Sequence, residues 1–528
     1  MLTSNYPFQI ILGVICSFLI ALLLRRHTQG RFVDGSGYAM KEIQGDTGAR
    51  RFTHGQEVSD EGFKVANGRP YVMYNGWRKE VVLCAPEHLR AFFRGNVREH
   101  RKSSYGNMGY FLNQYALMAK APPGSHPADV VARLLRHSPA QAYGENWKAI
   151  RSLFDPLFSH GAGMAFLHCL RRDIRGWLQS IPKSLSSQEL KGSSFSVDAS
   201  GLGEQLTLKL LSRFLYGEAL ADEYFAELRE LAQMREELGF IELPTWFIIP
   251  SVYKFLPTRA NRLLKQFTQG FKEFNLRMIA LAEKRGTKIA LQNIFNVTGP
   301  QGQITLEQFL HTVDEILLDN LEVSAAALSY LLINVAGDVQ LQQKLRDEAR
   351  QHLQSGKEQG FEQYLGRSNT LLEFCCAESR RLCPVDWFSP PERSNVDKTV
   401  DGYHIPAGTD VTVDITRVNI HSPLWSRPIL TPEGKRQVNG YDFYPERFNQ
   451  IARMESSYNV VGFGVSARQC LGQHFASLLM RVVLVEVVSN YRITTNQRAW
   501  DCGFRQDRTV LAPKPQEILF EELEPLPL

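Results

Sequence analysis

Seven stretches of this chain, residues 146–158, 221–238, 257–285, 306–336, 339–355, 364–382 and 470–491, carry apolar residues at the three- and four-residue spacing of a helix face. A strand turns its side chains over every second residue, so these stretches have to bury a stripe against other helices. Strand signals are confined to two places. In GRPYVMYNGWRKEVVLCAPEHLRAFF the runs 71–74 and 80–84 flank Asn75-Gly76, the preferred pair for a tight reversed turn. In TVDGYHIPAGTDVTVDITRV polar and apolar residues alternate around Pro406-Ala407-Gly408, a turn signal. The fold class expected is therefore mainly α with small β-sheets. At 44% hydrophobic and 22% charged residues the chain can bury a large core. A length of 528 residues suggests three or four domains of roughly 150 residues each. Yet residues 30–528 show no low-complexity linker, internal repeat or long charge run, and they read as one domain.

Residues 6–24, YPFQIILGVICSFLIALLL, contain no charged side chain, and at 1.5 Å per residue they are just long enough to cross a hydrocarbon core of about 30 Å. Arg25, Arg26 and His27 follow the run, where a cleaved signal peptide carries its positive charge before it. Residues 1–29 are thus expected to be an uncleaved membrane anchor, with everything after Leu24 on the cytosolic side. On that topology the sequon Asn296-Val297-Thr298 stays unmodified. The charge balance, 60 basic against 55 acidic residues, is too mild and dispersed to signal a nucleic acid partner. Eight cysteines without a Cys-x-x-Cys pair fit neither a disulfide scaffold nor a zinc module.

Chemistry concentrates in VVGFGVSARQCLGQHF, a glycine-rich loop holding Phe463, Arg468 and Cys470 and running into a long apolar helix. A cysteine at such a junction meets free backbone N–H groups and the positive end of a helix dipole, which favour the thiolate that a soft metal needs. A single cysteine viewed alone is more often a buried packing residue. Glu378 and Arg381 lie three apart on one helix face, and Arg447 sits in FYPERF shortly before the cysteine loop. Such a Glu-x-x-Arg pair is by itself a common solvated contact. Trp147 and Arg151 are one helical turn apart and can present an indole N–H and a guanidinium to the same anion.

In their order and spacing these segments resemble the cytochrome P450 family, the haem-thiolate monooxygenases, over almost the whole chain. The resemblance implies a cytochrome P450 fold, a haem (iron-protoporphyrin IX) cofactor and Cys470 as the axial thiolate ligand of its iron. It further implies that Arg468, Trp147 and Arg151 hold the propionates, that Phe463 packs near the sulfur, and that Glu378, Arg381 and Arg447 form a buried structural network. A thiolate pushes electron density through the iron and favours O–O cleavage. The implied activity is O2-dependent oxidation of a small, largely apolar organic substrate. Its electrons are expected from a separate NADPH-cytochrome reductase, since no flavin or iron–sulfur motif occurs in this sequence. The style of the sequence is similar to the fungal branch that tailors secondary metabolites. With the apolar run, the resemblance implies a single-pass protein of the endoplasmic reticulum membrane, in contact with membrane lipid.

Two departures from the family pattern stand out. Ser466 replaces a glycine in the cysteine loop. In EILLDNLEVSAAALSY, Asn320 stands where the family has glycine, and Val323 stands where it has the threonine that helps deliver protons to dioxygen. Glu322, Ser324 and Asn320 are the residues left to do that work, the latter two as donors and acceptors. The departure leaves room for an isomerase, dehydratase or oxidative-coupling enzyme, or for a haem-binding membrane protein without catalysis. By resemblance the substrate pocket is lined by Leu317, Leu321, Val385, Trp387 and Phe388, although aromatic residues near a core are more often simply core.

Overall fold

The computed structural model describes residues 31–528 apart from 103–141, 185–189, 241–256, 354–357, 506–509 and scattered stretches of one to three residues. The apolar run at residues 6–24 lies outside the described residues, as does Ser466.

Helix Leu321–Ala336 organises the molecule. Its sequence is apolar on every side, and from Leu328 to Ala336 every residue is buried, as expected of a helix surrounded by others. It packs against helices Ala199–Tyr216, Val339–Leu353, Leu371–Leu382 and Gln473–Asn490. The crossing with Ala199–Tyr216 is close because Gly203 lacks a side chain: a Cβ there would stand 2.5 Å from the Ala325 carbonyl oxygen. The Ser329 hydroxyl donates to the Ala199 carbonyl across the same contact at 2.9 Å. One hydrophobic cluster runs from Ile150 through these helices to Leu526. By length and composition the stretch Leu306–Ala336 would suit a membrane span, yet more than half of it is buried inside the protein.

The sheets are small and peripheral. The largest orders its strands Tyr71–Asn75, Arg78–Leu83, Asp410–Val413, Glu392–Ser394 and His100–Lys102. The expected hairpin pairs Tyr71 with Val82 and Asn75 with Arg78 in antiparallel register. Strand Asp410–Val413 from the second strand-rich patch joins it in parallel, Glu80 opposite Asp410. A second sheet orders Tyr491–Thr494, Glu517–Glu522, Ser194–Asp198 and Leu190–Lys191.

The sequence pattern and the structure differ at identifiable points. DITRV does not continue the strand: Asp414 accepts from the Arg417 amide at 3.0 Å and caps helix Ile415–His421. The stretch 364–382 is two helices, Glu358–Gly366 and Leu371–Leu382, separated by Asn369 at φ 61 and restarted by the Thr370 cap. Helices His160–Ser184 and Ala199–Tyr216 were not among the expected stretches. The second of these buries residues on nearly all sides, so it shows no single apolar stripe. The helix expected over 306–336 is interrupted by a widened, π-helical turn at Glu315–Asp319.

Candidate functional site

The cysteine loop folds back on itself through the Cys470 amide, which donates to the Phe463 carbonyl at 2.9 Å. Gly464 takes φ +83 in that turn, a conformation that side chains disfavour. Helix Gln473–Asn490 then begins with Gly472 as its cap. Among the described cysteines Cys470 is exposed, whereas Cys84, Cys375, Cys376 and Cys383 are buried and Cys169 is partly so. Burial pushes the Cys84 and Cys375 thiols far up and Cys376 up to about 11, which leaves them inert. The Phe463 ring lies against the Arg380 guanidinium at 5.0 Å.

One segment far away in sequence, residues 142–151, meets this loop. Arg151, on helix Gly144–Phe154, donates through Nη1 to the Gln469 carbonyl at 3.0 Å. Arg468 donates through Nη2 to the Ala142 carbonyl at 2.9 Å, and its guanidinium stands 4.5 Å from the centre of the Trp147 ring. Trp147 also faces Arg151 at 5.7 Å. Arg468 is only 9% exposed. Burial pushes its pKa down to about 10; Glu392 opposes that shift, and the neighbouring Arg151 adds to it. Arg151 also pairs with Asp155 at 2.5 Å. An anionic group placed beside Arg468 is electrostatically favoured, because it would offset the desolvation that this buried cation bears.

Behind the loop, Glu378 is fully buried and holds two arginines. Arg381 donates to it at 2.7 and 2.8 Å and to the Asn419 and Gly440 carbonyls at 2.9 and 2.7 Å. Arg447 approaches Glu378 at 2.9 Å and donates to the carbonyls of Trp425, Asn439 and Asp442. The Tyr444 amide adds a bond of 3.0 Å to the same carboxylate. Gly440 has to be glycine here, since a Cβ would fall 1.9 Å from the Ile420 carbonyl oxygen.

On the central helix, Asn320 ends the widened turn. Its amide N–H donates to the Glu315 carbonyl at 3.2 Å, five residues back, and its Nδ2 donates to the same oxygen at 2.5 Å. Helical bonding resumes with the Ser324 amide to the Asn320 carbonyl at 3.1 Å. Leu321, Glu322, Val323 and Ser324 are partly exposed, while Leu317 is fully buried. Of the other residues expected at a substrate pocket, Val385 is partly buried, and its carbonyl accepts from the Leu511 amide at 2.8 Å. Trp387 and Phe388 belong to a separate core cluster with Tyr71, Val82 and Leu511.

A buried cluster with no signature in the sequence pattern lies beside the widened turn. Arg235, on helix Asp222–Phe240, contacts Asp314 at 3.2 Å and Asp319 at 2.5 Å. Its segment, ELRELAQMREELGF, is dense in charge, and nothing in the spacing marks one arginine as buried.

Comparison with known proteins identifies the family of the chain. The profile of the Cytochrome P450 family matches residues 120–520. The chain is 29% identical to the cytochrome P450 monooxygenase lepD of Aspergillus flavus, over 91% of this chain and 89% of that protein. It is 28% identical to the cytochrome P450 monooxygenase apdB of Emericella nidulans over 90% of each chain. It is 26% identical to the cytochrome P450 monooxygenase PUL2 of Kluyveromyces lactis over 85% of this chain and 82% of that protein. The family profile alone spans most of the chain, which belongs to the cytochrome P450 family of haem-thiolate oxidoreductases.

Proposed function

We propose that the protein is a membrane-anchored monooxygenase in which Cys470 is the axial thiolate of the haem and Arg468, Trp147 and Arg151 hold its propionates. The observation that carries this reading is the meeting of helix Gly144–Phe154 with the cysteine loop, which gathers two buried or half-buried guanidiniums and an indole next to an exposed cysteine. The haem, when bound, supplies the activation of dioxygen. The chain's own groups do the rest. Phe463, with the Arg380 guanidinium against its ring, is the residue that the same reading sets near the sulfur. The Glu378 cluster ties Leu371–Leu382 to the segment that precedes the cysteine loop and so fixes where that loop stands.

Val323 cannot carry a proton, so proton movement on the oxygen side falls to Glu322, Ser324 and the Asn320 amide, directly or through water. The substrate is a small, largely apolar organic molecule, with Leu317, Leu321 and Val385 at its pocket and Trp387 and Phe388 supporting it from the core. We place the reaction among tailoring steps of secondary metabolism, driven by electrons from an NADPH-dependent reductase. Residues 6–24 anchor the chain in the endoplasmic reticulum membrane with its catalytic domain in the cytosol. The Val323 departure favours one further reading, an isomerase, dehydratase or coupling enzyme. A turnover that needs neither NADPH nor dioxygen would select the isomerase or dehydratase.

The deciding experiment is the spectrum of the reduced, carbon monoxide-bound protein. The wild type is expected to show the far red-shifted Soret band of a thiolate-ligated haem. Cys470→His is expected to lose that band and the oxygenase activity while retaining haem. A variant that keeps both would overturn the ligand assignment.

A further inference from the structure

Arg235 reaches both ends of the widened turn. Its Nε lies 3.2 and 3.4 Å from the two carboxylate oxygens of Asp314, the residue just before the turn. Its Nη2 lies 2.5 Å from Asp319, the last residue of the turn. Asp319 immediately precedes Asn320, whose side-chain amide closes the turn onto the Glu315 carbonyl. The side chains of Arg235 and Asp314 are almost fully buried, at 7% and 3% exposure, and Asp319 is at 27%. A π-helical turn is rare and occurs mostly as a single-turn bulge inside an α-helix, frequently at functional sites. Here one guanidinium from a neighbouring helix brackets it.

We propose that Arg235 is a positioning residue for the oxygen side of the haem: it fixes the widened turn, and through it the place of Asn320, by clamping Asp314 and Asp319 from helix Asp222–Phe240. The proposal rests on the reading above that Asn320 faces the haem. Its consequence is mechanical coupling. Any displacement of helix Asp222–Phe240 pulls on Asp319 and therefore shifts the amide that stands where the family has a glycine.

Carbon monoxide bound to the reduced, full-length protein is the probe, since its infrared stretch responds to the field of polar groups beside it. Asn320→Ala is expected to move the band, which checks the underlying reading. Arg235→Met and Asp319→Ala are expected to move or split it as well, and to raise amide exchange across 315–321 at least tenfold while leaving 328–336 unchanged. Arg277→Met, which removes an exposed pair between helix Arg259–Arg285 and Glu227 on the same helix as Arg235, is expected to leave the band in place. If Asn320→Ala moves the band and neither Arg235→Met nor Asp319→Ala does, the proposal fails and the reading of Asn320 stands. If none of the three moves it, both fail. Should Arg235→Met not fold, Asp319→Ala, at the less buried end of the clamp, decides alone.

Discussion

The Glu378 and Arg235 clusters are mirror images in charge. In the first, two buried arginines share one carboxylate; in the second, two carboxylates share one buried arginine. Each therefore carries one unit of charge in excess, and low-dielectric surroundings make that costly. The two disposals differ. Around Glu378 the surplus positive charge is spread over the carbonyl oxygens of Asn419, Gly440, Trp425, Asn439 and Asp442, all fixed by the backbone. Around Arg235 the surplus is negative and is relieved by a proton: burial, with Asp319 adding and Arg235 opposing, pushes Asp314 up to about 7. A network satisfied by carbonyls has one state. A network satisfied by a proton has two. The tasks proposed for the two clusters are alike, one holding the cysteine loop in place and the other the widened turn, but only the second can change state with pH.

The largest effect expected from this contrast is at Glu378. Glu378→Ala leaves two fully buried guanidiniums without their shared carboxylate and is expected to cost roughly 3–5 kcal/mol, the range for breaking a buried ion pair. Denaturant unfolding and the yield of haem-bearing protein measure it. A loss near 1 kcal/mol would mean that the carbonyls alone hold both arginines, and the contrast would collapse.

The second effect is in pH dependence rather than in stability at one pH. Asp314 binds its proton more tightly folded, at about 7, than its ordinary value of 3.8. Between those limits the folded state holds a proton that the unfolded chain has released, so this carboxyl makes stability fall as pH rises through the window, and its contribution is flat above it. The charges that bear on it are Arg235 from the facing helix and Asp319 and Glu315 from its own. Lys265, Lys272 and Glu273 line the same groove from helix Arg259–Arg285, with Glu307 and His311 beside them. Asp314→Asn is expected to remove one proton's worth of slope from a series of unfolding measurements across that range. Parallel profiles for variant and wild type would show that the cluster's surplus is not relieved at Asp314.

What the sequence disclosed follows the same division. Cys470, Arg468, Glu378, Arg381 and Arg447 sit at short, ordered spacings around glycine and proline, so their segments are readable as strings. The helical character of 257–285 and 339–355 was equally legible, because each presents an apolar stripe to a core and a polar face to water. Helix Ala199–Tyr216 was not, since its burial on nearly every side removes the stripe. Pairing of Glu517–Glu522 with Ser194–Asp198 joins residues more than three hundred apart, which no local pattern encodes. Arg235 was hidden for a third reason. Among neighbouring Arg and Glu residues, a buried cation looks like a solvated one until its partners on another helix are seen.

The smallest expected effect tests whether that buried cation is special or whether helix Asp222–Phe240 is simply held by many ion pairs. Arg277 on helix Arg259–Arg285 pairs with Glu227 on the same helix as Arg235, but both side chains are about two-fifths exposed. Water screens such a pair, and ordering two long side chains offsets most of its attraction. Arg277→Met is therefore expected to cost no more than about 0–1 kcal/mol. Part of even that loss would be packing, because the guanidinium lies 5.8 Å from the centre of the Tyr224 ring. If unfolding measurements gave Arg277→Met a loss as large as that of Arg235→Met, docking of the helix as a whole would explain both. The widened turn would then owe its shape to packing, and the proton on Asp314 would be incidental to it.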